Sequence, residues 1–319
     1  MFQRTVMLLV GMLLLSAAGE AAAQFVSLTA DNDYFARADR HYTGGLQLGL
    51  LLEAPAIPAG LRATAPLSWS ADPQLVLAFG QRIYVPNEID VDPPSPKDRP
   101  YAGWTYLLAD LRTKNGPVID HVIAGIGMVG PGSGARQVQT ATHRLFGSRP
   151  ADGWSSQLRN EVGVMAGFER TWPGVLRANA GSNSIDIAVR AGATVGNVFT
   201  YAATSVIARF GSHLPDDLPA TQLSLLPSRD GFHGATGRGW YAWLGAEARA
   251  VAWNVFLDGN MFRDSASVER RPLGYDLQTG FAYVWPTARV GFALIVRGRE
   301  FSGQEGPDRY GQLTLSMGY

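Results

Sequence analysis

Tyr310-Gly311-Gln312-Leu313-Thr314-Leu315-Ser316-Met317-Gly318-Tyr319 ends the sequence and alternates in polarity. One face carries Gly311, Leu313, Leu315, Met317 and Tyr319, and the other carries Tyr310, Gln312, Thr314 and Ser316. Because successive side chains of a β-strand point to opposite faces, the pattern predicts a strand with one apolar and one polar face. Residues 289–297 repeat the pattern just upstream, with Arg289 and Arg297 on the polar face.

Charge and aromatic placement favour a membrane barrel over a soluble sandwich, whose strands also alternate. The polar faces carry full charges, which a polar barrel interior permits: Glu247, Arg249, Asp258, Arg289 and Arg297. Aromatic residues lie near segment ends, as in interfacial girdles: Trp104, Tyr106, Trp240, Trp253, Tyr283 and Trp285. Tyr319 ends the chain on the apolar face, as is typical of the last strand of outer-membrane barrels. The predicted fold is all-β, an antiparallel transmembrane β-barrel, since closure satisfies every backbone group in lipid.

Candidate strands follow one another along the chain, and a barrel with both termini on one side needs an even number. The thirteen candidates are 25–33, 42–53, 74–84, 103–113, 118–128, 158–169, 183–195, 199–210, 239–249, 252–262, 276–284, 288–299 and 309–319. We take 183–195 as the one that does not span, which leaves twelve. Short connections predict periplasmic turns: 114–117, 250–251 and 285–287. Long connections predict extracellular loops: 85–102, 129–157 and 211–238.

Composition restricts the function. The 319 residues include 27 basic and 27 acidic residues, 17% charged residues and no cysteine. Zero net charge argues against nucleic-acid binding, which needs a basic surface. The lack of cysteine excludes zinc fingers, thiol catalysis and a disulfide scaffold.

The N-terminus predicts export. Residues 1–23 combine Arg4, an apolar run over 6–18 and a small-residue cleavage site at Ala21-Ala22-Ala23. This is the pattern of a cleaved signal peptide, and the apolar run is too short for a membrane helix. Residues 24–319 are therefore expected to form a single barrel domain.

The first of two clusters of polar residues lies at the predicted first hairpin. Asp31-Asn32-Asp33-Tyr34-Phe35 ends one strand, and Tyr42-Thr43-Gly44-Gly45 begins the next. Clustered carboxylate, amide and hydroxyl oxygens suit Ca²⁺, although turns are ordinarily rich in Asp and Asn. Asn32 and Asp33 should point to opposite faces, so both can bind one ion only if the strand ends or bulges there.

The second polar region is the loop that begins at Gly130-Pro131. Residues 134–146 predict a short helix, on which Gln139 and His143 share a face because they are four residues apart. Histidine accepts protons near neutral pH, so His143 is a candidate base. A solvated loop histidine is the other interpretation. No G-x-S-x-G sequence and no zinc-ligand spacing occurs.

The order of several short motifs resembles that of a known family. The motifs are 32–35 with 42–45, Asp98-Arg99-Pro100-Tyr101-Ala102-Gly103-Trp104, Gly130-Pro131 through Gln139 to His143, 153–161, Gly196-Asn197-Val198, Leu257-Asp258-Gly259-Asn260 and Glu300-Phe301-Ser302-Gly303-Gln304. In this order they resemble the outer-membrane lipid A 3′-O-deacylases of the LpxR family, over nearly the whole mature chain.

The resemblance implies a twelve-stranded barrel and a reaction. The family hydrolyses the ester of the 3′-acyloxyacyl chain of lipid A in a Ca²⁺-dependent reaction. Its essential Asn-Asp pair, threonine and histidine fall on Asn32, Asp33, Thr43 and His143. Asn32, Asp33 and Thr43 would hold the calcium, which polarises the ester carbonyl, and His143 would take a proton from the attacking water.

Substrate contacts follow the resemblance less closely. Lys97 and Arg99 are candidates for the substrate phosphate by neighbourhood alone, and Gln139 is a candidate substrate contact beside the histidine. The family has a functional acid shortly after its histidine, where this sequence has Ser148-Arg149-Pro150.

The resemblance also implies a location, a substrate and an oligomeric state for the protein. We expect a monomer in the outer membrane, with lipid A or lipopolysaccharide as substrate, the active site facing the outer leaflet and no nucleic-acid partner. Three alternatives remain open: a passive outer-membrane pore, an esterase with Ser133 or Ser148 as nucleophile, and a soluble periplasmic β-protein.

Overall fold

The strands form a closed sheet, and neighbouring strands run in opposite directions. The computed structural model describes residues 23–33, 41–54, 57, 73–215 and 237–318. Within these residues twelve antiparallel strands form one barrel, each paired with its neighbours in sequence and β1 paired with β12. The strands are β1 Ala23–Asn32, β2 His41–Leu52, β3 Gln74–Val85, β4 Ala102–Asn115, β5 Val118–Val129, β6 Glu161–Ala180, β7 Asn183–Gly196, β8 Phe199–Gly211, β9 Gly239–Asn254, β10 Leu273–Trp285, β11 Ala288–Arg297 and β12 Asp308–Gly318. The predicted fold and strand number are confirmed. Residues 1–22 of the predicted signal peptide, together with Tyr34, Phe35 and Tyr319, lie outside the described residues, whereas Ala23 is the first residue of β1.

The prediction of which candidate does not span was wrong. Residues 183–195 lie in β7, which pairs with both β6 and β8. The segment 252–262 is not a separate strand, because β9 runs through the predicted turn at 250–251 and ends at Asn254. The Asn254 side chain then accepts a hydrogen bond from the backbone N–H of Phe256 and caps a short helix, α2 (Val255–Asp258).

Burial explains that error. Alternate apolar residues in 252–262 imitate a strand, but the consecutive residues 255–257 are all buried. A half-buried strand exposes every second side chain, whereas a helical turn packed into the barrel mouth can bury three in a row.

Because 183–195 is a strand and 252–262 is not, β8 runs in the direction opposite to the predicted one. We call the end where β3 passes to β4 and β5 to β6 the loop end, and the opposite end the turn end. Tight connections after Asn115 and after Trp285 lie at the turn end, as predicted. The connection 211–238 also lies at the turn end and not with the other long loops, so its predicted placement was wrong. Most of it lies outside the described residues.

The barrel interior is polar and filled. Asp276 is fully buried between Arg249 and Arg297, and its Oδ2 lies 2.8 Å from Arg297 Nη2. Glu247 Oε1 lies 2.9 Å from Arg249 Nη1. Further buried pairs join Asp186 to Arg209 and Asp110 to Arg112 and His121.

The outer wall carries the apolar side chains. Those that are about half exposed include Leu46, Leu107, Ile126, Val162, Val164 and Phe281. Such a band is what a barrel presents to lipid. Neither helix among the described residues is long and apolar enough to cross a membrane.

Candidate functional site

The first hairpin is irregular at its polar residues. β1 ends at Asn32, which lies opposite Gly44, and Asp33 already lies beyond the strand. β2 has a register shift between Tyr42 and Gly44, so Thr43 is left out of the pairing. The strand therefore ends, and its neighbour bulges, at the place where the sequence required it for Asn32 and Asp33 to act together.

The two faces of this hairpin have different partners. Asp31 belongs to the interior, where its carboxylate accepts hydrogen bonds from Tyr42 Oη at 2.7 Å and Gln312 Nε2 at 2.9 Å. Because side chains alternate, Asn32 belongs to the outer face, and its Nδ2 lies 3.5 Å from the position that a Cβ on Gly44 would take. Asp33 and Thr43 are buried, and Thr43 Oγ1 donates a long hydrogen bond of 3.5 Å to the Ile83 carbonyl.

The loop between β5 and β6 folds back onto the outer wall. It contains a 3₁₀ turn (Pro131–Ser133), the helix α1 (Ala135–Phe146) and a second 3₁₀ turn (Gly153–Ser156). The Ser133 carbonyl accepts hydrogen bonds from Gln81 Nε2 at 2.6 Å and Thr105 Oγ1 at 2.7 Å. The predicted helix is confirmed.

Glycine allows the close approach of α1. A Cβ on Gly103 of β4 would overlap the Cβ of Ala135, so a larger residue would push the start of the helix away from the wall. Beside this contact a buried apolar cluster joins the wall to the loop: Ile83, Val85, Tyr101, Ala135, Ala151 and Trp154.

The two candidate site residues of α1, Gln139 and His143, both contact the segment that follows the helix. Gln139 Oε1 accepts a hydrogen bond from Trp154 Nε1 at 2.6 Å. His143 Nδ1 lies 2.5 Å from the Arg149 carbonyl oxygen. A carbonyl can only accept, so Nδ1 carries the proton and Nε2 is left with a free lone pair. The contact fixes the orientation of the imidazole ring.

Ile83 links the two halves of the candidate site. Its carbonyl accepts from Thr43, and its side chain packs in the cluster that contains Ala135. The first hairpin, through Thr43, and the His143 helix, through its first turn, therefore both contact β3.

The donor set suits a hard cation. Asn32, Asp33 and Thr43 offer oxygen atoms only, as Ca²⁺ prefers. No group of three His, Cys, Asp or Glu side chains that could hold a metal occurs in the part of the chain that the structure describes. A cation here would depend on one carboxylate together with neutral oxygens.

The two predicted phosphate contacts differ in burial, and Arg99 lies on the interior side of the barrel. Lys97 is exposed in the β3–β4 loop. Arg99 is fully buried, with Nη1 3.3 Å from Glu300 Oε2 and its guanidinium carbon 4.6 Å from the centre of the Tyr84 ring. Tyr84 packs against the interior residue Tyr42, so Arg99 lies on the interior side and α1 on the outer side.

Comparison with known proteins identifies the family. A family model described as "Outer membrane protein LpxR" matches residues 5–319. The chain belongs to the LpxR family. It is accordingly an outer-membrane barrel. A search of curated proteins finds no match.

A solved structure from Salmonella has the same fold, and the chain also matches other barrels with lower scores. LpxR from Salmonella typhimurium superposes with a TM-score of 0.77 at 19% sequence identity, covering 92% of this chain and 100% of that one. The β domain of the Bordetella autotransporter BrkA has a TM-score of 0.44 at 9% identity, covering 94% of this chain and 100% of that one. The KdgM porin has a TM-score of 0.34 at 7% identity, with 92% and 99% covered.

Sequence reasoning missed several parts of this LpxR-family site. Trp154 was quoted only within a motif, although it fixes Gln139. The Arg149 carbonyl orients His143, and no side-chain pattern could reveal a backbone contact. Ile83 gave no signal, because apolar residues alternate throughout the barrel.

A buried cluster near the hairpin was also missed. His41 precedes Thr43 and has a positive φ of 63°. Its Nδ1 lies 2.6 Å from Asp308 Oδ1, and its Nε2 lies 3.5 Å from Asp98 Oδ1. Burial would raise the pKa of Asp98, but hydrogen bonds from His41 and from the backbone N–H groups of Asn87 and Arg99 hold that pKa below its ordinary value. The cluster ties the start of β2 to the β3–β4 loop and to β12.

Proposed function

We propose that this LpxR-family barrel hydrolyses the ester that links the 3′-acyloxyacyl chain to lipid A, in a Ca²⁺-dependent reaction at the outer leaflet. One observation carries the proposal: His143, oriented by the Arg149 carbonyl, lies on a helix packed against β3 and β4, and Thr43 of the first hairpin is bonded to the Ile83 carbonyl of the same β3. The family relationship supports a lipid A substrate.

The chain's own residues would divide the work. His143 Nε2 would accept a proton from a water molecule, which attacks the ester carbonyl without a covalent acyl-enzyme. The Arg149 carbonyl would stabilise the imidazolium that forms, since it accepts from Nδ1. Bound Ca²⁺ would supply Lewis-acid polarisation of the carbonyl and stabilise the developing negative charge. Asn32, Asp33 and Thr43 would hold that ion.

The position on the outer wall supports a lipid substrate. An ester in the membrane reaches the outer face of a barrel without entering its interior. The interior is occupied by buried ion pairs such as Asp276 with Arg249 and Arg297, which also speaks against a passive pore.

The serine alternative receives less support. Ser133 Oγ donates a 2.6 Å hydrogen bond to the Gly130 carbonyl and is buried under α1. Ser148 donates its backbone N–H to the His143 carbonyl at 2.8 Å, while the imidazole Nδ1 is bound to Arg149 instead.

Mass spectrometry of lipid A tests the function. Lipid A from cells that express the wild type should lack the 3′-acyloxyacyl group. His143→Ala should lower the rate of hydrolysis about 10²–10⁴-fold, the usual contribution of a general base. Arg144→Ala, at the exposed neighbouring position, is the matched control and should act like the wild type. Identical lipid A from cells with wild type and His143→Ala, at ample calcium, would reject the proposal.

A further inference from the structure

One flank of α1 is apolar and uncovered. Val138, Ala141 and Leu145 share it, because they are three and four residues apart. Val138 packs partly against the wall cluster. Leu145 is 79% exposed, more than the other large apolar side chains among the described residues. We call Ala141 and Leu145 the free flank.

Contacts on the opposite side of α1 fix its orientation. Gln139 and His143 contact Trp154 and Arg149. That segment attaches towards the loop end, where Ala151 and Trp154 pack on Val85 and Tyr101, and the Asp152 N–H donates to Ile89 in the β3–β4 loop. The free flank, on the other side of the helix, therefore faces the turn end.

The apolar wall begins in that direction. On β4, Thr105 holds the carbonyl just before α1, and Leu107, two residues nearer the turn end on the same outer face, is 50% exposed. Ile126 on β5 pairs with Leu107 and is 54% exposed, and Leu46, on β2 at the level of Thr105, is also 54% exposed. The free flank thus continues the band that an outer-membrane barrel presents to lipid.

We infer that the free flank of α1 inserts into the lipid leaflet through Leu145, and that this contact holds the His143 helix at the boundary between headgroups and acyl chains. The occupant is lipid, because the flank continues the lipid-facing wall. Burying one leucine side chain in an apolar phase is favourable enough to orient a short helix that is already packed on the wall.

A fluorescent label tests the insertion without reference to catalysis. The chain has no cysteine, so Leu145→Cys gives a single labelling site. With an environment-sensitive probe in phosphatidylcholine vesicles, its emission should be blue-shifted and quenched by nitroxide lipids. Arg144→Cys lies one residue away on the outward side of the helix and should show water-like emission. Water-like emission from both labels would overturn the inference.

A second measurement rests on the proposed function. Leu145→Asp should lower hydrolysis of lipid A in vesicles about tenfold, the loss expected for one buried leucine, and leave hydrolysis in detergent micelles unchanged. Gln137→Asp places the same charge on the outward side and should have no effect in either. Equal loss in vesicles and micelles would overturn the role of lipid contact. Wild type inactive in both would reject the proposed function, and the label would still decide the insertion.

Discussion

At the scale of single residues, a backbone carbonyl fixes the imidazole of His143. The segment Ser148-Arg149-Pro150 stands where the resemblance implies a functional acid after the histidine, and the Arg149 carbonyl lies 2.5 Å from His143 Nδ1. A carbonyl fixes the ring tautomer as a carboxylate does, but it has no net charge and does not titrate. The departure in sequence therefore leaves the orientation of the base intact.

The calcium proposal is tested at Asp33. Asp33→Asn keeps the size of the side chain and removes the only carboxylate of the proposed donor set. We expect the Ca²⁺ concentration for half-maximal hydrolysis to be at least about tenfold higher in the variant than in the wild type, since carboxylate charge tunes calcium affinity. The measurement is a Ca²⁺ titration of lipid A hydrolysis after chelation.

Asp152→Asn is the control for that titration, because Asp152 is an exposed carboxylate in the α1 loop. Its Ca²⁺ dependence should match the wild type. An unchanged Ca²⁺ dependence in Asp33→Asn would remove this residue from the donor set.

At the scale of elements, one carboxylate joins three connections at the loop end. Glu161, the first residue of β6, accepts hydrogen bonds from the backbone N–H groups of Met261 and Phe262 at 3.2 and 3.1 Å. It also accepts from Asn197 Nδ2, in the β7–β8 connection, at 3.0 Å. The loop after α2 is thereby held against β6.

Removing this carboxylate should loosen the loop. In Glu161→Ala the two backbone N–H groups lose their acceptor, which costs more than a typical hydrogen bond because the acceptor is charged. Limited trypsin digestion should then cut faster after the exposed Arg263. Glu269→Ala, at an exposed position in the same loop, should leave the cleavage rate at the wild-type value, and an unaltered rate in Glu161→Ala would contradict the clamp.

Elements also show how far the sequence could predict the fold. Alternation placed a candidate in each of the twelve strands, and the twelve-strand count followed from parity. It also took 252–262 as a strand, since period two alone does not separate a strand from a buried helical turn, and parity then removed 183–195 in its place. Of the candidate site, the hairpin and α1 were predicted, but the position of Arg99 and the contacts of Ile83 and Trp154 depend on tertiary packing.

At the scale of the whole molecule, the barrel interior contains buried ion pairs. Asp276 compensates two arginines and is itself fully buried, so the three groups form a unit. Removing one partner of a buried pair leaves uncompensated charge, which is far more costly than losing a surface pair.

The free energy of unfolding should respond accordingly. Asp276→Asn leaves Arg249 and Arg297 facing each other, and we expect a loss of about 3–5 kcal/mol. Denaturant titration in detergent measures it, with Asp264→Asn, an exposed acid, as the neutral control. A loss of similar size in both variants would mean that the interior pair does not stabilise the barrel.

The pairing of β1 with β12 has a consequence for the order of events in biogenesis. Asn32 lies opposite Gly311, and Asp31 accepts a hydrogen bond from Gln312, so the first and last strands of the barrel share one edge of the proposed centre. A chain whose barrel has not yet closed lacks that edge. Hydrolysis would thus begin only after closure, and no lipid would be cut before it.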